Sequence, residues 1–173
     1  QRSGSQNVID LHGRLDQVRC LDCGQIVSRH HVQQWLETHN VIPPLKTAVI
    51  RPDGDASLPD SFIEQFQVPK CPHCNGVLKP DVVFFGGTVP KSTVTQCHAL
   101  IDQSAGLLVV GSSLSVYSGF KFCRYCADQN KPIVILNQGK TRADELSLHR
   151  FSTEPFTLLQ QCADRMQQSC RRE

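Results

Sequence analysis

Two cysteine pairs, Cys20/Cys23 in "RCLDCGQ" and Cys71/Cys74 in "KCPHCNG", have the residue type and Cys-x-x-Cys spacing of a metal centre. Gly24 follows the first pair and Asn75-Gly76 the second. Such residues permit the tight turn in which peptide N–H groups donate to thiolates. Two such knuckles supply four sulfurs to one tetrahedral Zn²⁺, a closed structural site without the open position of a catalytic one. Two other readings compete. "CPHC" by itself is a thioredoxin-like redox motif, but that motif opens a helix, and Pro69, Gly76 and Pro80 leave no room for one. His73 is a further possible ligand, yet four cysteines already complete the site.

The remaining thiols read differently. Cys123/Cys126 in "GFKFCRYCADQ" has no partner pair, and at helical spacing it reads as buried free thiols, while Cys97, Cys162 and Cys170 stand alone. Nine cysteines, an odd number of which six stand in Cys-x-x-Cys pairs, fit metal and free thiols in a reducing compartment better than a secreted disulfide framework.

Three other groups have polar residues that could act. "SQNVIDLHG" packs an amide, a carboxylate and His12 into a few residues and ends at Gly13. A lone histidine beside glycine is more often a capping or core residue than a base. Gly111-Ser112-Ser113 and Asn137-Gln138-Gly139 each close an apolar run, "GLLVVGSS" and "KPIVILNQG". Ligands of open α/β sheets bind outside the carboxyl ends of strands, where glycine admits a nucleotide and hydroxyl and amide groups bond its oxygens. Strand-terminating turns use the same residues, so both readings stand.

The elements that must position these residues fall into two textures. Between the pairs lie 47 residues, 24–70, with one helical pattern, "SRHHVQQWLETH", that puts Val32, Trp35 and Leu36 on one face. The turn-rich "RPDGDASLPD" follows. So little core needs a clamp, and a structural zinc contributes roughly 10–16 kcal/mol of apparent binding free energy. From Pro80 onward, "DVVFFGG", "GLLVVGSS" and "KPIVILNQG" alternate with helical segments, the first being "STVTQCHALIDQSA" behind a Ser92 cap. Near-continuous apolar strands between helices suit a parallel sheet covered on both faces. The expected fold is α/β: a βαβαβ unit forming part of a Rossmann-like parallel sheet, then "LHRFST" as a strand, a closing helix, and a small four-cysteine zinc-binding module. The expected divisions are 1–19, a lead-in carrying the histidine; 20–80, the zinc-binding module; and 81–173, the Rossmann-like half.

A net charge of +2 over 173 residues gives no concentrated basic face for nucleic acid. No apolar run reaches the 18 residues of a membrane span, so neither nucleic acid nor membrane is an expected partner. The first residue is Gln1, the only methionine is Met166, and no G-x-G-x-x-G follows a first strand. The phosphate-cradling loop is therefore expected upstream, and the chain by itself is expected to bind a dinucleotide poorly.

In order, "LHG" ahead of a Cys-x-x-Cys, the second Cys-x-x-Cys, "LKPDVVFFGG", "VVGSSLSVYSG" and "ILNQG" resemble the catalytic core of a sirtuin, from about Gly4 to Leu159. "RPDGDASL…FQVPKC" and "SSLSVYSG" look most like the class II branch, of the mitochondrial sirtuin-4 type, which implies a mitochondrial matrix location. The resemblance implies an NAD-dependent protein-lysine deacylase or ADP-ribosyltransferase with one structural zinc and acylated protein lysines as substrates. In that chemistry the acyl oxygen attacks the ribose carbon as nicotinamide leaves, and a base takes a ribose hydroxyl proton so that this oxygen attacks the acyl carbon. The resemblance makes His12 the base and puts the Val83 carbonyl against the acyl-lysine N–H. It makes Phe85 a wall of the lysine tunnel and pairs residues 83–87, Gly86 among them, with the substrate backbone as an added strand. Gly111, Ser112 and Ser113 would contact NAD phosphate and ribose, Asn137, Gln138 and Gly139 the adenosine ribose, and Glu154 the adenine.

Two departures qualify the resemblance. Gly87 stands where many relatives have an acidic residue, and the family's "TQN-x-D" element belongs well upstream of "HG". Gln6 and Asn7 are therefore a look-alike, expected in a strand leading to the histidine. A zinc-stabilised binding module without chemistry, and a thiol oxidoreductase using "CPHC", are the alternatives from other classes.

Overall fold

The computed structural model describes residues 4–41, 49–50, 56–57 and 60–170. They form two compact units, His12–Thr88 and Gln1–Leu11 with Val89–Glu173. Most of the turn-rich "RPDGDASLPD" segment lies outside the described residues.

In the His12–Thr88 unit, strand β1 (Gly13–Cys20) is the centre of an antiparallel sheet between β2 (Ile26–Ser28) and β5 (Leu78–Val82). Along β1 the side chains of Val18 and Cys20 are buried while Arg19 is exposed, the two-residue period of a half-buried strand. Val18 pairs with Val27 and with Pro80, and Cys20 with Leu78. Arg19 clamps β5 through a two-bonded ion pair to Asp81, at 2.8 and 3.2 Å. Helix α1 (Arg29–His39) starts where Ser28 Oγ accepts the His30 N–H at 3.2 Å, an N-cap. Val32 is buried, with Trp35 and Leu36 half-buried beside it, as the periodicity requires. Asn40 ends the helix and exchanges two hydrogen bonds with the Gln67 backbone, at 3.0 and 2.6 Å. Two short strands, β3 (Val49–Ile50) and β4 (Ala56–Ser57), pair with each other, and helix α2 (Asp60–Gln65) follows. These lie in the interval where the periodicity showed only one helix, because elements this short carry no period.

The second unit holds a parallel sheet, β6 (Leu107–Val110), β7 (Ile133–Leu136) and β8 (His149–Phe151), in that order. Helices α3 (Lys91–Gln103), α4 (Tyr117–Asp128) and α5 (Pro155–Cys170) alternate with it. Its core joins Ile101 of α3, Phe122, Cys123 and Cys126 of α4, Val109, Ile133 and Ile135 of the sheet, and Ala143. Lys131 ties α3 down: its ammonium donates to the carbonyls of Ile101, Asp102 and Ser104 at 2.6, 2.8 and 2.9 Å. Those are the carbonyls a helix end leaves unpaired.

Four expectations change. "DVVFF" does not begin the parallel sheet; its first residues finish β5, antiparallel to β1. A short apolar run suits either pairing, and only the partner strand decides. Gln6 and Asn7 lie in no strand, and β1 begins after the histidine, at Gly13. Helix α3 starts at Lys91 with Pro90 in the capping position and no side-chain cap, so Ser92 sits inside the first turn. Burial is also one-sided along β6: Val109 is buried, whereas Leu108 and Val110 are 54% and 40% exposed.

Candidate active site and metal centre

The two knuckles are built alike. The Cys20 N–H bonds Gln25 O and the Cys71 N–H bonds Gly76 O, each at 2.9 Å. Gly24 and Asn75 take φ of +73° and +60°, the left-handed conformation that glycine and asparagine adopt most readily. These turns aim N–H groups at sulfur. The Cys23 N–H above all, then that of Asp22, pulls the Cys20 thiol down to about 7 against its burial. Cys74 goes the other way, up to about 12: the Gly76 N–H lowers it, but the Cys23 and Cys20 thiols and burial outweigh that bond. Sulfurs this close conflict as thiolates, and a divalent cation among them removes the conflict.

The geometry fits zinc. The four Sγ atoms lie within 4.8 Å of one another, with Cys20 to Cys74 at 3.5 Å and Cys23 to Cys71 at 3.7 Å. A tetrahedron with Zn–S bonds of about 2.3 Å has edges of about 3.8 Å. Sequence reasoning missed Asp22, which joins the knuckles: its Oδ2 accepts the Val77 N–H at 2.9 Å, while the Leu21 N–H bonds Val77 O at 2.9 Å. A Cβ on Gly76 would lie 2.1 Å from that Asp22 oxygen. The "CPHC" pair faces the "CLDC" pair and opens no helix. His73 is exposed, and no other group of ligating side chains occurs among the described residues. Cys123 and Cys126 are buried in the α4 core, and burial pushes the Cys123 thiol up to about 11.

His12 and Val83 are brought together by the start of β1. The Val83 N–H donates to His12 O at 2.8 Å, extending the β1–β5 pairing past Gly13 and Val82. Gly13 is there because nothing larger fits: φ is +85°, and a Cβ would lie 2.0 Å from Asp81 O. The His12 side chain is exposed. Beyond Val83 the backbone turns, closed by the Gly87 N–H to Phe84 O at 2.9 Å, with Gly86 at φ +79° and Phe85 fully exposed at 100%. Lys79 was also missed: it donates to Val82 O at 2.6 Å, and its ammonium sits 5.0 Å from the Phe84 ring centre.

In the second unit the candidate nucleotide residues share one rim. Gly111, Asn137 and Ser152 directly follow the carboxyl ends of β6, β7 and β8, whose last residues Val110, Leu136 and Phe151 are in register. Gly111 turns at φ +61°. Ser112 Oγ accepts the Leu114 N–H at 3.3 Å, and the Ser113 and Ser115 hydroxyls are 3.1 Å apart. Asn137 Nδ2 donates to Gly139 O at 2.8 Å, and Gln138 is exposed. Two arginines that no motif signalled brace this rim. The Arg142 N–H bonds Ser113 O at 2.9 Å, and Arg150 donates to Gly139 O at 2.7 Å. Glu154 caps α5: its oxygens accept the Phe156 and Thr157 N–H groups at 2.9 and 2.7 Å. Those bonds hold its carboxyl below the usual range.

Residues 1–118 match the model of the Sir2 family. The chain belongs to the Sir2 family. A relative from Xanthomonas axonopodis pv. citri, named an NAD-dependent protein deacetylase, is 52% identical over 146 residues, which are 84% of this chain and 50% of that protein. NAD-dependent protein deacetylase 1 of Streptomyces coelicolor is 44% identical over 166 residues, 96% of this chain and 56% of its own. This Sir2-family chain thus spans about half the length of the curated relatives it matches. Among solved structures, Sir2 with a p53 peptide and NAD+ matches with a TM-score of 0.71 at 24% identity, over 95% of this chain and 57% of that one. Sir2 bound to a propionylated peptide matches equally, TM-score 0.71 at 24% identity, over 95% and 58%. These two likenesses bear on the fold. The relatives also bear on the location. They are bacterial proteins, which single out neither class II nor the sirtuin-4 type, and bacteria have no mitochondrial matrix, so that location is withdrawn.

Proposed function

We propose that this chain serves NAD-dependent removal of acyl groups, acetyl first among them, from protein lysines, with transfer to ADP-ribose and release of nicotinamide. The observation that carries the reading is the family match over residues 1–118, which takes in both knuckles and the Gly111-Ser112-Ser113 turn. The matched relatives' name, NAD-dependent protein deacetylase, supplies the reaction. In this reading Gly111, Ser112 and Ser113 bond NAD phosphate and ribose, and Asn137, Gln138 and Gly139 bond the adenosine ribose. Glu154 borders the adenine. Val83, Phe85 and Gly86 receive the acyl-lysine segment. Cys20, Cys23, Cys71 and Cys74 hold a zinc ion whose contribution is structural.

His12 has two readings. As the base it would take the ribose hydroxyl proton, which suits an imidazole near neutral pH. The other duty rests on main-chain atoms alone: Gly13 packs against the Asp81 carbonyl and His12 O receives the Val83 N–H, so the His-Gly step is the seam of β1 and β5 whatever side chain stands at position 12. His12→Gln separates them. Turnover lowered at least about a hundredfold with an unchanged melting temperature supports the base; turnover retained in the folded fraction supports the seam.

The test of the whole reading is nicotinamide release by the full-length gene product. Release that requires NAD and an acetyl-lysine peptide together is expected. Release from NAD with an unacylated peptide at the same rate would assign ADP-ribosyl transfer instead, and acetyl loss without NAD would refute the reading.

A further inference from the structure

Between β6 and α4 the chain passes through residues 111–116 without a strand or helix. Gly111 turns at φ +61° and Leu114 at φ +54°. Glycine adopts that left-handed conformation freely. In leucine the Cβ crowds the following carbonyl, so the conformation costs free energy and persists only where the surroundings enforce it. The bonds inside the segment do not do this alone. The Leu114 N–H reaches Ser112 Oγ at 3.3 Å and the Ser115 N–H reaches Ser113 Oγ at 3.4 Å. They join residues two apart and tie the segment to nothing outside itself.

Arg142, in the loop after β7, holds the segment from outside twice. Its main-chain N–H donates to Ser113 O at 2.9 Å, and its side-chain Nη1 donates to Ser115 O at 3.3 Å. The same guanidinium has its Cζ 4.6 Å from the ring centre of Phe120 and 5.6 Å from that of Tyr117, both in the first turn of α4. Each distance is within the roughly 6 Å reach of a cation over an aromatic face. A planar guanidinium donates from its edge while its face lies against a ring, which the compact ammonium of lysine does not reproduce. One side chain therefore joins the segment to the helix it leads into. The main-chain bond survives any substitution, so the side chain's own share is the Ser115 bond and the two rings.

The segment carries the Ser112 and Ser113 hydroxyls, and a site whose polar groups are already ordered binds more tightly than one that must order them on binding. We propose that Arg142 is a positioning residue for NAD, acting through the Ser113 and Ser115 carbonyls to hold those hydroxyls where the dinucleotide meets them. The inference rests on the reading of this rim as the NAD site. Its test is nicotinamide release by the full-length gene product, with NAD and an acetyl-lysine peptide varied in turn. Arg142→Met keeps the length of the side chain and removes the fork and the charge. It should raise KM for NAD about tenfold, the worth of one hydrogen bond, and leave kcat and KM for the peptide within about twofold. The melting temperature should stay where it was. Phe120→Leu leaves the guanidinium in place and takes away one ring. It should raise KM for NAD as well, and the double variant should fall short of the product of the two single effects, because both act on one clamp.

An unchanged KM for NAD in Arg142→Met, in a protein that turns over normally, overturns the inference alone. So does a rise of both KM values with a lower melting temperature, which would make the residue merely structural. If Phe120→Leu leaves KM for NAD untouched while Arg142→Met raises it, the guanidinium acts on the ligand by charge and not through the segment. Single effects that multiply in the double variant also exclude a shared clamp. An unaltered protein that neither binds nor consumes NAD overturns the reading of the rim, and the inference with it.

Discussion

Removing the metal should unfold one unit and leave the other standing. In the His12–Thr88 unit the buried apolar side chains among the described residues include Val18, Val32, Cys20 and Cys71, and the last two belong to the four-cysteine cluster whose geometry fits zinc. Burying a valine contributes about 1.5–3 kcal/mol, so the two valines supply roughly 3–6 kcal/mol. The metal supplies about 10–16 kcal/mol, which exceeds the valines and is as large as the whole stability of a typical domain, about 5–15 kcal/mol. The other unit buries Ile101, Val109, Phe122, Ile133, Ile135 and Leu136 and holds no ligand among its described residues. Chelation, or Cys71→Ser, should therefore abolish hydrogen-exchange protection in β1, β2 and β5 while β6 and β7 keep theirs. Exchange mass spectrometry reads both units in one sample, and a colorimetric zinc count gives the stoichiometry, expected at one ion per chain. Protection of β1 and β5 unchanged after zinc has been stripped would refute the argument. So would equal loss in both units.

Gly13→Ala should cost more than about 2 kcal/mol, since it combines positive φ with a backbone clash; a denaturant midpoint unchanged in that variant would count against the β1–β5 seam. Lys131→Met should destabilise the second unit by roughly 1.5–3 kcal/mol, the worth of hydrogen bonds to a charged group, with extra fraying at the end of α3 in exchange data. A loss too small to measure would mean the three carbonyls find water instead. Glu154 has its folded pKa depressed, first by the Phe156 N–H and then by Thr157. Its contribution is present above the unfolded value of 4.5 and is lost as pH falls through the lower folded value. The melting-temperature gap between the wild type and Glu154→Gln should thus be open at pH 7 and close on acidification below about pH 4. A gap independent of pH would deny the carboxylate its capping role.

Local chemistry was legible in the linear sequence, and pairing was not. A Cys-x-x-Cys followed by Gly24 or Asn75 contains its own turn, so both knuckles could be read residue by residue. The Ser28 cap and the face of Val32, Trp35 and Leu36 have a period of their own. The runs ending at Val110 and Leu136 announce strands with turns behind them, and the rim of Gly111 and Asn137 follows from that. Which strand lies beside which is another matter. "DVVFF" is as apolar as a parallel strand, but its neighbour is β1, more than sixty residues earlier, and a short hydrophobic run carries no mark of its partner. The same applies to Gly13: its need for a bare Cα arises only when the Asp81 carbonyl arrives. Asp22, Lys79, Lys131 and Arg142 look like ordinary solvated charges in the sequence. Asp22, Lys131 and Arg142 acquire a task only because folding delivers backbone atoms from a distant segment to their tips, whereas Lys79 reaches carbonyls of its own strand. Sequence determined the ligands, the turns and the alternation of elements, since these are set within a few residues. Tertiary structure alone decided the strand partners, since contact between remote segments depends on the whole chain's packing.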